Sequence, residues 1–122
     1  MNCKECARDL YDRMGQGQMN EVFEEYYADN VVVVEGDGTV REGKDTQRKA
    51  LKAWEESIQE WHGGGYSSLT ADEDNNVTMV ESWADVTFKG GHRWKIEEVA
   101  VQKWKDGKIV HERFYYDVPP QG

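Results

Sequence analysis

Residues 77–117 read VTMVESWADVTFK-GG-HRWKIEEVAVQKWK-DG-KIVHERFYYD, and this stretch decides the fold class. Three runs rich in β-branched and aromatic residues, Val77–Lys89, His92–Lys105 and Lys108–Asp117, are divided by Gly90-Gly91 and by Asp106-Gly107. Asp-Gly between two such runs signals a two-residue hairpin, because both turn positions require positive φ. The runs are about ten to fourteen residues long, against the usual five or six. Antiparallel strands of that length twist and coil, so a helix laid across them leaves a concave interior.

The sequence before the meander is helical at both ends of a short strand. Cys6, Leu10 and Met14 recur four apart, which predicts a helix over about Cys3–Met14, broken by Gly15-Gln16-Gly17. A second helix, about Met19–Tyr27, presents Met19, Val22, Phe23 and Tyr26. Val31–Glu35 has strand character and ends at Gly36-Asp37-Gly38. A third helix follows Gly43, with Asp45 favouring its positive end and Leu51, Trp54, Ile58 and Trp61 forming one stripe. His62-Gly63-Gly64-Gly65 reads as its stop. The expected fold class is α+β: three N-terminal helices packed on a strongly curved antiparallel sheet enclosing a pocket, in one domain spanning residues 1–122.

Composition excludes several functions. The 122 residues carry fifteen basic and twenty-four acidic side chains, a net charge of −9. That balance is unsuited to a nucleic-acid partner, whose phosphates need clustered Lys and Arg. No apolar run reaches the roughly 20 residues of a membrane helix, and the first residues lack the apolar core of a secretory signal. No membrane association is expected, and the expected compartment is the cytoplasm. Cys3 and Cys6 form a CxxC, but neither a thioredoxin-like βαβ context nor a second ligand pair accompanies it. His62, His92 and His111 lie far apart. No metal and no cofactor are expected.

Strand parity singles out particular acids. In Val77–Lys89, Thr78, Val80, Ser82, Ala84, Val86 and Phe88 make the better core face, which sends Glu81 and Asp85 to solvent. In the next run, Glu97 shares a face with Val99 and Val101, so Glu97 is a candidate buried carboxyl. Glu35, closing the Val31–Val34 run, is a second. Apolar surroundings raise a carboxyl's pKa, which suits it to proton transfer near neutrality.

Tyr27-Ala28-Asp29-Asn30, the Val-rich strand, Glu35, and Gly43-Lys44 resemble the NTF2-like fold. The ending from Trp104-Lys105-Asp106-Gly107 to Phe114-Tyr115-Tyr116-Asp117 resembles the last hairpin of its SnoaL-like branch. The resemblance implies a cone-shaped pocket, here lined from Trp54, Val99, Val101, Phe114 and Tyr116, and a homodimer formed through the exposed sheet face. Ketosteroid isomerases share the fold. Counting along the matching segments places Tyr11 on their helix tyrosine, Glu35 on their carboxylate base and Glu97 on their protonated acid. Their base and acid are both Asp, and their supporting tyrosine falls here on Leu51. SnoaL-type cyclases use a His and an Asp, to which His92 and Asp85 come nearest.

Two functional classes follow. In one, Tyr11, Glu35 and Glu97 isomerise, cyclise or dehydrate a small apolar carbonyl compound by proton transfer. In the other, the same pocket binds an apolar molecule without chemistry, or the domain serves as an association module.

Overall fold

The computed structural model describes residues 1–117. Helix α1 (Cys3–Met14) starts with a capping box. The Asn2 side chain accepts from the Glu5 backbone N–H at 2.9 Å, and Glu5 Oε1 accepts from the Asn2 N–H at 3.3 Å. Helix α2 (Met19–Tyr26) runs without a loop into strand β1 (Tyr27–Val34). Strand β2 (Val40–Glu42) leads to helix α3 (Lys44–Ser57), and strands β3 (Ile58–Asp72), β4 (Val77–Phe88), β5 (Arg93–Lys105) and β6 (Lys108–Tyr115) follow. The β5–β6 turn has Asp106 at φ 52° and Gly107 at φ 76°. Two consecutive positive φ values make the hairpin turn expected from Asp-Gly.

The six strands form one curved, unclosed sheet in the order β2-β1-β6-β5-β4-β3. It is mixed where an antiparallel sheet was expected. Four neighbouring pairs are antiparallel, but β1 and β6 run parallel, with Val33 opposite Glu112. A parallel pair needs a long connection, and everything from β2 to β5 supplies it.

Third-helix periodicity overran the helix. Ile58 and Trp61 belong to β3, and Gly63-Gly64-Gly65 lies within that strand, opposite Asp85, Ala84 and Trp83. Apolar spacing did not mark the change, because β3 continues directly from α3, with Ile58 already extended at φ −85°, ψ 123°. Gly63 and Gly64 are there for space. A Cβ on Gly64 would lie 2.5 Å from the Trp61 ring, and one on Gly63 would lie 3.2 Å from the Trp83 ring.

The core lies between α1, α2 and the sheet. Ala7, Leu10, Val22 and Tyr26 meet Val31, Val33, Val80, Trp104 and Ile109, all buried. Burying each large aliphatic side chain contributes about 1.5–3 kcal/mol. Cys3 and Cys6 are free thiols within this core. Helix α3 is less deeply set: Gln47 is its buried residue, while Leu51 and Trp54 are half-buried. No described helix is long and apolar enough to cross a membrane.

Candidate functional site

Alternation on β4, β5 and β6 separates an inner, helix-covered face from an outer one. Thr78, Val80, Ala100, Gln102, Trp104 and Glu112 are buried on the inner face, and Thr78, Val80 and Glu112 keep at most 1% of their surface. Further along the same rows, Ser82, Ala84, Glu98, Phe114 and Tyr116 are half-buried. The inner face is therefore sealed around Thr78, Gln102 and Glu112 and more open around Ser82, Ala84, Glu98 and Phe114, while Val86 and Ile96 beyond them are buried again.

At the sealed end lies a buried hydrogen-bonded network. Trp104 Nε1 donates to Thr78 Oγ1 at 2.8 Å, and the Thr78 hydroxyl donates to Gln102 Oε1 at 2.7 Å. Gln102 Nε2 donates both to the Tyr11 hydroxyl oxygen at 3.1 Å and to Glu112 Oε2 at 2.9 Å. The Tyr27 hydroxyl donates to the other Glu112 oxygen. Every polar atom here has a partner, as buried polar atoms require. Burial pushes the Glu112 carboxyl up to about 7, although the bonds from Tyr27 and Gln102 pull it back. Burial and then the Glu112 charge push the Tyr11 phenol far up, so it stays protonated.

Glu98 sits in the more open part, opposite Ser82 on β4. Its carboxyl makes no hydrogen bond or ion pair among the described residues. Burial first, then the Glu112 and Glu35 charges, push it up to about 7. Glu35 follows β1 on the face of Val31 and Val33. It pairs with Arg41, which also donates through Nε to Gln47 at 2.7 Å, and it accepts from the Tyr116 hydroxyl at 2.8 Å. Trp94 packs edge-on against Tyr116, with ring centroids 6.0 Å apart. Trp61 meets Trp54 likewise at 6.4 Å.

Tyr11 and Glu35 thus lie on the inner side: the Glu112 charge acts on Tyr11, and the Glu35 charge acts on Glu98 and Glu112. Glu97 does not join them. It lies on the outer face, its side chain 71% exposed and 3.6 Å from Lys95. Val99 and Val101 do share its face, as parity required, but that face is the outer one, so neither valine lies on the inner side. Trp54, Phe114 and Tyr116 do lie on the inner side. Asp85 is bound by Arg93 through both carboxyl oxygens at 3.0 and 2.9 Å, and His92 is exposed in a turn. They form no acid–base pair. Glu98, Gln102 and Glu112 were missed. The apolar parity of Trp94, Ile96, Ala100 and Trp104 marks Glu98 and Gln102, and the parity of Phe114 and Tyr116 marks Glu112. Among the described residues, no group of three or more His, Cys, Asp or Glu is placed to hold a metal ion.

A family model described as SnoaL-like domain matches residues 1–116. A Mesorhizobium loti protein provisionally named a SnoaL-like polyketide cyclase is 32% identical, with a TM-score of 0.85 over 95% of this chain and 100% of that one. A Burkholderia pseudomallei NTF2-like protein of unknown function is 16% identical, with a TM-score of 0.78 over 96% and 92% of the two chains. A provisionally named isomerase from Bacillus subtilis is 21% identical, with a TM-score of 0.74 over 93% and 84%. No curated protein matches the sequence.

Proposed function

Because this chain belongs to the SnoaL-like domain family, we propose that its inner cleft binds a small apolar carbonyl compound and moves a proton on it. Glu98 is the group that takes and returns the proton. The observation that carries this reading is a half-buried carboxyl free of partners among the described residues; burial, then the Glu112 and Glu35 charges, push it up to about 7, which suits exchange in both directions. Tyr11, held protonated by burial on the same inner side, is the donor we assign to the carbonyl oxygen as enolate charge develops. Glu35, held by Arg41 and Tyr116, forms a wall of the cleft, and Trp94, Phe114 and Trp54 supply apolar contact.

Such chemistry is read most simply as exchange of α-protons for deuterium. In D₂O the protein should speed exchange at the α-carbon of 1-tetralone, and Glu98→Gln should reduce the rate about 10²-fold or more. Exchange unaffected by the protein would leave apolar binding without chemistry; exchange that survives Glu98→Gln would remove Glu98 from the role.

A second copy of the chain is the partner we propose for the outer face. Met79, Trp83 and Tyr115 are exposed there, Lys95 lies 5.2 Å from the Trp83 ring and Arg113 4.8 Å from the Tyr115 ring. The outer face also carries Glu81 on β4 and the bases Lys103 and Arg113 on β5 and β6, and a two-fold pairing that sets acid against base would favour the dimer. Light scattering should return about twice 14.1 kDa at micromolar concentration; a monomer mass would remove the dimer.

A further inference from the structure

Trp61 is the most exposed of the five tryptophans, at 54%, and its ring partner among the described residues is Trp54 on α3. Its setting is nevertheless built. The indole edge reaches to within 2.5 Å of where a Gly64 Cβ would stand. Gly64 pairs with Ala84, and Ala84 with Ile96, so this row lies on the inner face. Glycine inside a strand weakens it and marks a place that something approaches closely. Here the strand gives up a side chain to admit an indole that stays more than half exposed, so folding gains little from the exchange.

The floor beside that indole is low. Along the inner face of β4, Val80 and Val86 are fully buried, while Ser82 and Ala84 between them are small and half-buried. The neighbouring row runs Tyr66–Ser82–Glu98. Gly64, Ala84 and Ser82 therefore lie between Trp61 and Glu98 and form a shallow recess. Strands β3 and β5 stand two strand spacings apart, about 10 Å, a span that a fused two-ring ketone bridges.

We infer that this recess holds a flat aromatic ring of the ligand, packed on Trp61 with its carbonyl end towards Glu98, so that Trp61 selects aryl ketones over saturated ketones of the same skeleton. The ketone half of this assignment rests on the proton-transfer reading above; the ring site rests on Trp61, Gly64 and Ala84. An aromatic pair gains about threefold to tenfold in affinity beyond the area it buries, and an aliphatic ring lacks that gain.

Equilibrium dialysis of 1-tetralone and of 1-decalone, its saturated counterpart, gives two dissociation constants for each protein. Trp61→Leu keeps an apolar side chain there but no ring. It should lower the preference for tetralone over decalone by about threefold to tenfold relative to the wild type, and Trp61→Phe should keep part of that preference. A Trp61→Leu protein that weakens both ketones alike, or neither, overturns the selection. Ala84→Leu fills the floor and should weaken both ketones at least about tenfold; unchanged binding would put the ring elsewhere and overturn the recess. Naphthalene, a ring without a carbonyl, separates this site from the ketone reading. It should shift the Trp61 indole N–H in a proton–nitrogen spectrum, with Trp61→Phe identifying the resonance. If neither ketone binds and naphthalene still shifts that resonance, the ketone reading fails and the aromatic recess stands. If naphthalene leaves the resonance in place, the recess is overturned, and proton exchange through Glu98 is decided by its own test.

Discussion

At the scale of the residue, the site turns on which of two adjacent glutamates faces inwards. Glu97 and Glu98 differ by one position on a strand, and one position exchanges the core for solvent. Two valines beside Glu97 looked like a core row, yet they lie on the outer face, where apolar side chains are also common. Glu98 and the fully buried Glu112 give a clear pH signature. Both hold their proton more tightly in the folded state, up to about 7, than at the ordinary 4.5. The stability they contribute is therefore fully present below about 4.5 and is lost as pH rises through about 7. Urea midpoints should fall between pH 5 and pH 8. Glu112→Gln should flatten that fall by on the order of 2 kcal/mol, and parallel profiles for the two proteins would contradict the burial argument. Glu35 was legible from its place in line with Val31 and Val33, but the ion pair with Arg41 was not, because it depends on how β2 folds back on β1.

At the scale of the element, local signals located what local physics controls. The meander, its Asp-Gly turn and the first two helices could be read because hydrophobic period and turn residues set them within a few neighbours. The end of α3 could not. Ile58 and Trp61 continue a helical spacing, yet both have strand preference, and pairing with β4 decides the matter. Gly64→Ala separates the alternatives. If Gly64 ended a helix, an alanine would be mild. Within β3 the new Cβ meets the Trp61 ring at 2.5 Å and the Trp83 carbonyl oxygen at 3.2 Å. Trp61 should move off Trp54, removing the near-ultraviolet circular dichroism of that pair and lowering the melting temperature by a few degrees, the effect of about 1 kcal/mol. An unchanged spectrum would contradict the packing. Parity on β6 held for Phe114 and Tyr116, and carrying it two residues back would have marked Glu112.

At the scale of the whole molecule, the sheet has two faces of different chemistry. The inner face buries acids among neutral donors, and the outer face displays aromatic rings with cations against them. Sequence pattern reached the curved sheet but not its mixed order, because the β1–β6 pairing joins segments roughly 80 residues apart and leaves no local mark. The two faces also explain how a chain of net charge −9 keeps carboxyls inside: neutral hydroxyl and amide donors hold Glu112, and Glu98 stands where the cover thins. Everything proposed for the cleft depends on Glu98 being an inward-facing acid that changes protonation near neutrality. A carbon-13 titration of all glutamate carboxyls in one labelled sample, with Glu98→Gln to identify the resonance, measures this directly. The resonance missing from the variant should titrate with a midpoint near 7. A midpoint below about 5, that of a glutamate in water, would contradict it.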